Sequence, residues 1–191
     1  MGVKDLFVNP HGIRAGWRFL LWWAITLTTT AAIGLAANLL FHPKPHPFLD
    51  PVSLIAGDLL QALIPASLAT FIMATIERRT LRDYYVSAPG LFGRRFWMGT
   101  VWGFASVSLL IGGIAVLGGY SVQGLATTGW PLLYSLLVWT AAALVIGIVE
   151  EFVFRAYSLR TLADAIGFWP AAVLLSIGFG APHYFTKPYE R

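Results

Sequence analysis

The sequence predicts an all-α protein, a polytopic membrane helix bundle with about five transmembrane helices. Three observations carry this. Of 191 residues, 57% are apolar and 12% charged, against about 45–50% and about 25% in a soluble domain. Mean hydropathy is +0.69. The apolar residues fall into five runs, each near the roughly 20 residues that a spanning helix needs. Such a chain is too apolar for disorder and has no room for a large soluble domain.

The first run, Trp17 to Phe41, exceeds a secretory apolar region of about 7–15 residues and reads as a retained helix. The loop His42-Pro43-Lys44-Pro45-His46-Pro47 follows, made non-helical by proline. The second run, Val52 to Ile76, holds Asp58 and Gln61, and Pro65 is expected to kink it. The third, Phe96 to Tyr120, carries Gly99 and Gly103 at GxxxG spacing, where small residues permit close helix approach. The fourth starts at Pro131, stays apolar to Val149 and runs through Glu150-Glu151 without a breaker to about Ile166. Gly167 is a natural stop. The fifth run is Phe168 to Phe185. The chain thus divides into residues 1–129, with helices one to three, and residues 130–191, with helices four and five.

Lys and Arg outnumber Asp and Glu 13 to 9. They sit in short loops between apolar runs, so no solvated basic face exists to bind nucleic acid, and the expected partner is membrane lipid. The N-terminus and the segment 77–95 are basic, while loop 121–130 is uncharged. A multi-pass protein with a cytoplasmic N-terminus follows from the positive-inside rule. Cysteine is absent, which removes disulfides, cysteine nucleophiles and thiolate metal sites.

Glu150 and Glu151 are the strongest chemical signal. Each carboxylate costs about 2.5–3.5 kcal/mol at mid-membrane, a cost any apolar pair would avoid. Arg155 lies four residues after Glu151, a spacing suited to an ion pair. Glu150 points about 100° away. One carboxylate is then held while the other stays free for a metal or a water. His183 is the histidine placed within an apolar run, and Phe179 shares its face one turn earlier. Glu150 precedes Gly167 by 17 residues and His183 follows it by 16. A straight hairpin about Gly167 sets both at one depth, whereas a bend after Arg155 lays residues 156–166 along the surface. Both arrangements stay open.

Asp58 reads equally as a buried ionisable group or as an interfacial residue with Gln61. His42 and His46 read as loop residues, His11 as a solvated tail residue, and Arg160 as an interfacial anchor.

The pattern Glu150-Glu151-x-x-x-Arg155 followed by Phe179-x-x-x-His183 resembles the first two motifs of the CPBP family of intramembrane proteases. That family includes CAAX prenyl endopeptidases and bacterial Abi-type immunity proteins. The resemblance covers about Trp130 to His183. It implies that Glu150 activates the hydrolytic water and that Arg155 holds Glu151 in support. His183 would bind a metal or stabilise the oxyanion, with Phe179 as a wall. It also implies a divalent metal, zinc by expectation, on Glu150 and His183. The substrate would be a membrane-associated protein or peptide, prenylated in the family's eukaryotic precedent, and the location a bacterial or archaeal plasma membrane. The family bears a third motif on later helices, while this sequence runs eight residues past His183. The expectation is therefore a piece of a longer protein. The alternative is a non-catalytic immunity, scaffold or partner protein that retains the family helices. A transporter using Asp58 and Glu150 as proton-linked groups is a third class, supported only by buried charge.

Overall fold

The computed structural model describes residues 3–10, 12–42, 50–84, 93–119, 121 and 123–185. Among these the long elements are all helices. A short helix α1 (Val3–Phe7) leads into strands β1 (Val8–Asn9) and β2 (Gly12–Ile13), an antiparallel hairpin of two-residue strands. Composition did not predict it. It folds onto the start of α2 (Ala15–Phe41): Trp17 donates from Nε1 to the Leu6 carbonyl at 3.1 Å, and its ring lies 4.7 Å from that of Phe7.

The second span begins with α3 (Pro51–Asp58). Asp50 caps it by accepting the Ser53 N–H at 2.8 Å, with proline at the first helical position, where its missing N–H costs nothing. A π-helical segment, Leu59–Leu63, then leads into α4 (Ile64–Glu77). The expected kink at Pro65 takes this form. Proline has no N–H for the Gln61 carbonyl and its ring crowds that oxygen. The chain widens one turn ahead of it, the Ile64 N–H reaching the Leu59 carbonyl. Thr30 of α2 donates its hydroxyl to the Gln61 carbonyl at 2.8 Å, replacing the lost backbone donor.

The fourth run is a helix without a break. It consists of α6 (Trp130–Glu151), a π-helical segment Phe152–Ser158, and α7 (Leu159–Ile166); α5 (Arg94–Val116) precedes it. Gly167, at φ 88°, reverses the chain, and α8 (Phe168–Phe185) packs back along α7. A hairpin of α7 and α8 therefore forms about Gly167. At 1.5 Å per residue, Trp130–Ile166 is about 55 Å long, well beyond a hydrocarbon core of about 30 Å.

Among the described residues, four helices are long and apolar enough to cross a membrane: Ala15–Phe41, Pro51–Glu77, Arg94–Val116 and Trp130–Ile166. The fifth run folds as an 18-residue helix, the short end of spanning length.

Two compact units form, residues 1–86 with 137–191, and residues 87–136. In the second, α5 buries no side chain and exposes Trp102, Phe104, Leu109 and Val116. An exposed apolar surface of this kind is what lipid covers. A Cβ built on Gly99 or Gly103 meets nothing within 4 Å among the described residues, so the expected close approach at this GxxxG is not seen there.

In the first unit α2 packs on α4 and α7. The stripe Ala66, Ala69, Thr70, Met73 and Ala74 on α4 is buried. Its i, i+3, i+4, i+7, i+8 spacing lines one face with mostly small residues, so α2 can approach closely. Trp22 fills the contact. Its Nε1 donates to the Thr70 hydroxyl at 3.0 Å, and its ring stacks on Tyr157 at 5.5 Å and 10°.

Candidate functional site

The apolar fourth run brings Glu150 and Glu151 to the C-terminal end of α6, directly before the π-helical segment. Such wide turns recur at functional positions. Here the turn closes with the Leu159 N–H on the Phe154 carbonyl and the Ser158 hydroxyl on the Val153 carbonyl at 2.8 Å. The two carboxylates diverge. Glu151 is exposed and ion-pairs with exposed Arg155. Glu150 is half-buried, and its electrostatic neighbours are His183, Asp58 and Glu151.

His183 comes within electrostatic range of Glu150 because α8 packs back along α7 after Gly167. Its Nδ1 lies 2.9 Å from the Phe179 carbonyl oxygen. A carbonyl only accepts, so Nδ1 carries the proton and, in the neutral ring, Nε2 keeps its lone pair. The Phe179 ring sits 4.7 Å from His183 and 5.1 Å from Phe154, edge to face with the latter. Phe154 in turn meets Trp23 of α2 at 5.7 Å. An aromatic wall thus backs the histidine.

Asp58 stands at the last position of α3, before the other π-helical segment, and the two π-helical segments touch. That contact brings Asp58 toward Glu150, a link the sequence left open. His42 lies exposed beyond the C-terminal end of α2. His11 and His46 lie outside the described residues.

The sequence reading missed a second polar cluster. Arg18 donates to Glu77 Oε2, and Tyr157 donates to Glu77 Oε1. Arg79 approaches Oε2 at 3.7 Å, and Arg18 reaches Asp164 at 3.4 Å. These groups come from α2, α4, the π-helical segment Phe152–Ser158 and α7, with Arg79 just past α4. Arg18, an ionisable residue near the start of an apolar run, was the available signal. Tyr84, fully buried on Tyr157 at 5.0 Å, has its phenol pushed up to about 12, chiefly by burial and then by the Glu77 charge. Its hydroxyl has no partner in bonding geometry among the described residues. On the short 3₁₀ turn Leu81–Tyr84, Asp83 accepts the Thr80 N–H at 2.8 Å and the Thr80 hydroxyl at 2.9 Å. These bonds hold its carboxyl below the usual carboxylate range.

The implied metal can be tested against the donor set. Among the described residues no group of three or more His, Cys, Asp or Glu gathers closely enough to hold a metal ion. A catalytic zinc takes three protein ligands. Glu150 and His183 do not by themselves fit such a centre.

Residues 130–190 match the family model described as type II CAAX prenyl endopeptidase Rce1-like. No curated protein and no solved structure matches the chain. The match supports a CAAX-type intramembrane endopeptidase kind of function, and with the apolar helices it supports an integral membrane protein. The segment carrying Glu150, Glu151, Arg155, Phe179 and His183 is Rce1-like in sequence, which is the family resemblance its two motifs carry.

Proposed function

We propose that the protein is an endopeptidase that cleaves membrane-associated, prenyl-type peptide substrates, with Glu150 as the general base for the attacking water. The observation that carries this is the half-buried Glu150 with His183 among its electrostatic neighbours, within the segment that matches the Rce1-like family. A carboxylate withdrawn from bulk water is a stronger base, and a positioned base contributes about 10²–10⁴-fold. His183, with Nδ1 on the Phe179 carbonyl, turns Nε2 toward polar work: orienting the water, or as imidazolium stabilising the oxyanion. Glu151, neutralised by Arg155, stays off the reacting centre and keeps a second negative charge from opposing attack. Phe154 and Phe179 supply an apolar wall for a lipidated or apolar peptide.

The test is cleavage by the full chain in proteoliposomes. Wild type and Glu150→Gln are incubated with farnesylated peptides ending in a CAAX sequence, and release of the terminal tripeptide is followed by mass spectrometry. Release by wild type and its loss in Glu150→Gln support the proposal. No release by folded wild type, across farnesyl and geranylgeranyl peptides, favours the non-catalytic reading.

A further inference from the structure

Away from the Glu150 site, the first unit holds an open cleft of about 1060 Å³. It is walled by the first turns of α2, the end of α4 and the end of α7, so three candidate spans terminate around it. Span ends lie at the level of lipid headgroups.

The cleft is positively charged in excess. Arg14, Arg18, Arg78 and Arg79 line it against two carboxylates, Glu77 and Asp164. Glu77 has both oxygens engaged, Oε1 by Tyr157 and Oε2 by Arg18 and Arg79. Arg78 is exposed and makes no ion pair among the described residues. The Arg18 Nε is buried with no hydrogen-bond partner there. A buried guanidinium N–H left unpaired is costly, and a phosphate oxygen would satisfy it. Trp17 and Leu20 at the same rim are 39% and 54% exposed, offering apolar surface where an acyl chain would run.

We propose that this cleft binds the phosphate of an anionic phospholipid headgroup, with Arg14, Arg18 and Arg78 as its cations. Guanidinium groups pair phosphate oxygens bidentately. A soluble acidic peptide would answer to the charge, but it makes no use of apolar surface at the ends of membrane spans.

The test uses the full chain purified in neutral detergent. Thermal unfolding is followed by circular dichroism as phosphatidylglycerol, phosphatidylcholine or inorganic phosphate is added. A ligand that binds only the folded state raises the midpoint saturably. The expected result is a rise with phosphatidylglycerol alone. Its apparent affinity should fall about fivefold in Arg78→Gln and further in Arg14→Gln/Arg78→Gln, about one such factor per cation removed. Arg78→Lys should keep most of the response. Because Arg78 is exposed, its single substitution leaves a folded protein to measure. Equal responses to phosphatidylglycerol and phosphatidylcholine, or an undiminished response in both Gln variants, overturn the proposal. An equal shift with inorganic phosphate assigns a free-anion site and overturns the lipid.

Discussion

The Nδ1 atom of His183 lies 2.9 Å from the carbonyl oxygen of Phe179, one helical turn earlier on α8. This contact fixes which ring nitrogen is free, and it separates two substitutions. His183→Asn keeps an N–H donor near the Nδ1 position and has nothing at Nε2. It should lose activity as fully as His183→Ala, by about 10²–10⁴-fold. His183→Gln, whose amide reaches toward the Nε2 position, should retain more than either. Cleavage rates of the three variants check this, and ¹⁵N shifts of labelled histidine should report a protonated Nδ1.

Tyr157 and Tyr84 pack against each other with tilted rings, yet their hydroxyls differ. Tyr157 donates to Glu77, while the Tyr84 hydroxyl has no partner in bonding geometry among the described residues. Tyr157→Phe strips a buried carboxylate of one donor and should cost about 1.5–3 kcal/mol. Tyr84→Phe removes a hydroxyl that lies near the Glu77 charge without bonding geometry, and should cost less than Tyr157→Phe. Detergent unfolding curves of the two variants give the comparison.

Thr30 supplies the donor that Pro65 cannot. Thr30→Val should destabilise by about 0.6 kcal/mol, and by no more than about 1.7 kcal/mol. In a Pro65→Ala background the backbone N–H returns to the Gln61 carbonyl, and the same substitution should cost much less. The double-mutant cycle cancels the packing loss at buried Pro65. Equal costs in both backgrounds would mean that the Thr30 bond does not serve the proline.

Asp83 ties down Thr80 as a carboxylate. Its folded pKa is lowered by the Thr80 backbone and side-chain bonds, so the bonds are fully formed above the unfolded value of about 3.9. They are lost as pH falls through the lower folded value. The protection factor of the Thr80 amide in hydrogen exchange should stay level from neutral pH to about 4 and fall below it. In Asp83→Ala it should be low and flat.

The helical class was legible because apolar runs of spanning length leave few other structures in lipid. The Glu151–Arg155 pair was legible from i,i+4 spacing, while the electrostatic approach of His183 to Glu150 belonged to one of two arrangements that their equal distances to Gly167 left open. The hairpin itself was not decided by pattern, since Phe152–Ser158 reads the same in a straight or a bent chain. Only packing shows that it stays helical by widening to a π turn. The Glu77 cluster was hidden for another reason. Its members sit on three helices far apart in sequence, and each alone reads as an interfacial anchor. The role of Thr30 was equally silent, because a lone threonine in an apolar run gives no sign of which carbonyl it faces.

The most direct measurement is a cycle on Glu150 and His183, scored as the cleavage rate of the reconstituted full chain. Glu150→Gln, His183→Ala and the double variant are compared with wild type, and circular dichroism confirms equal helix content. If the two act as one unit, each single variant should fall by about 10²-fold or more, and the double should be little worse than the lower single. Wild-type rates in either single variant, or losses that simply multiply in the double, would contradict a Glu150–His183 centre.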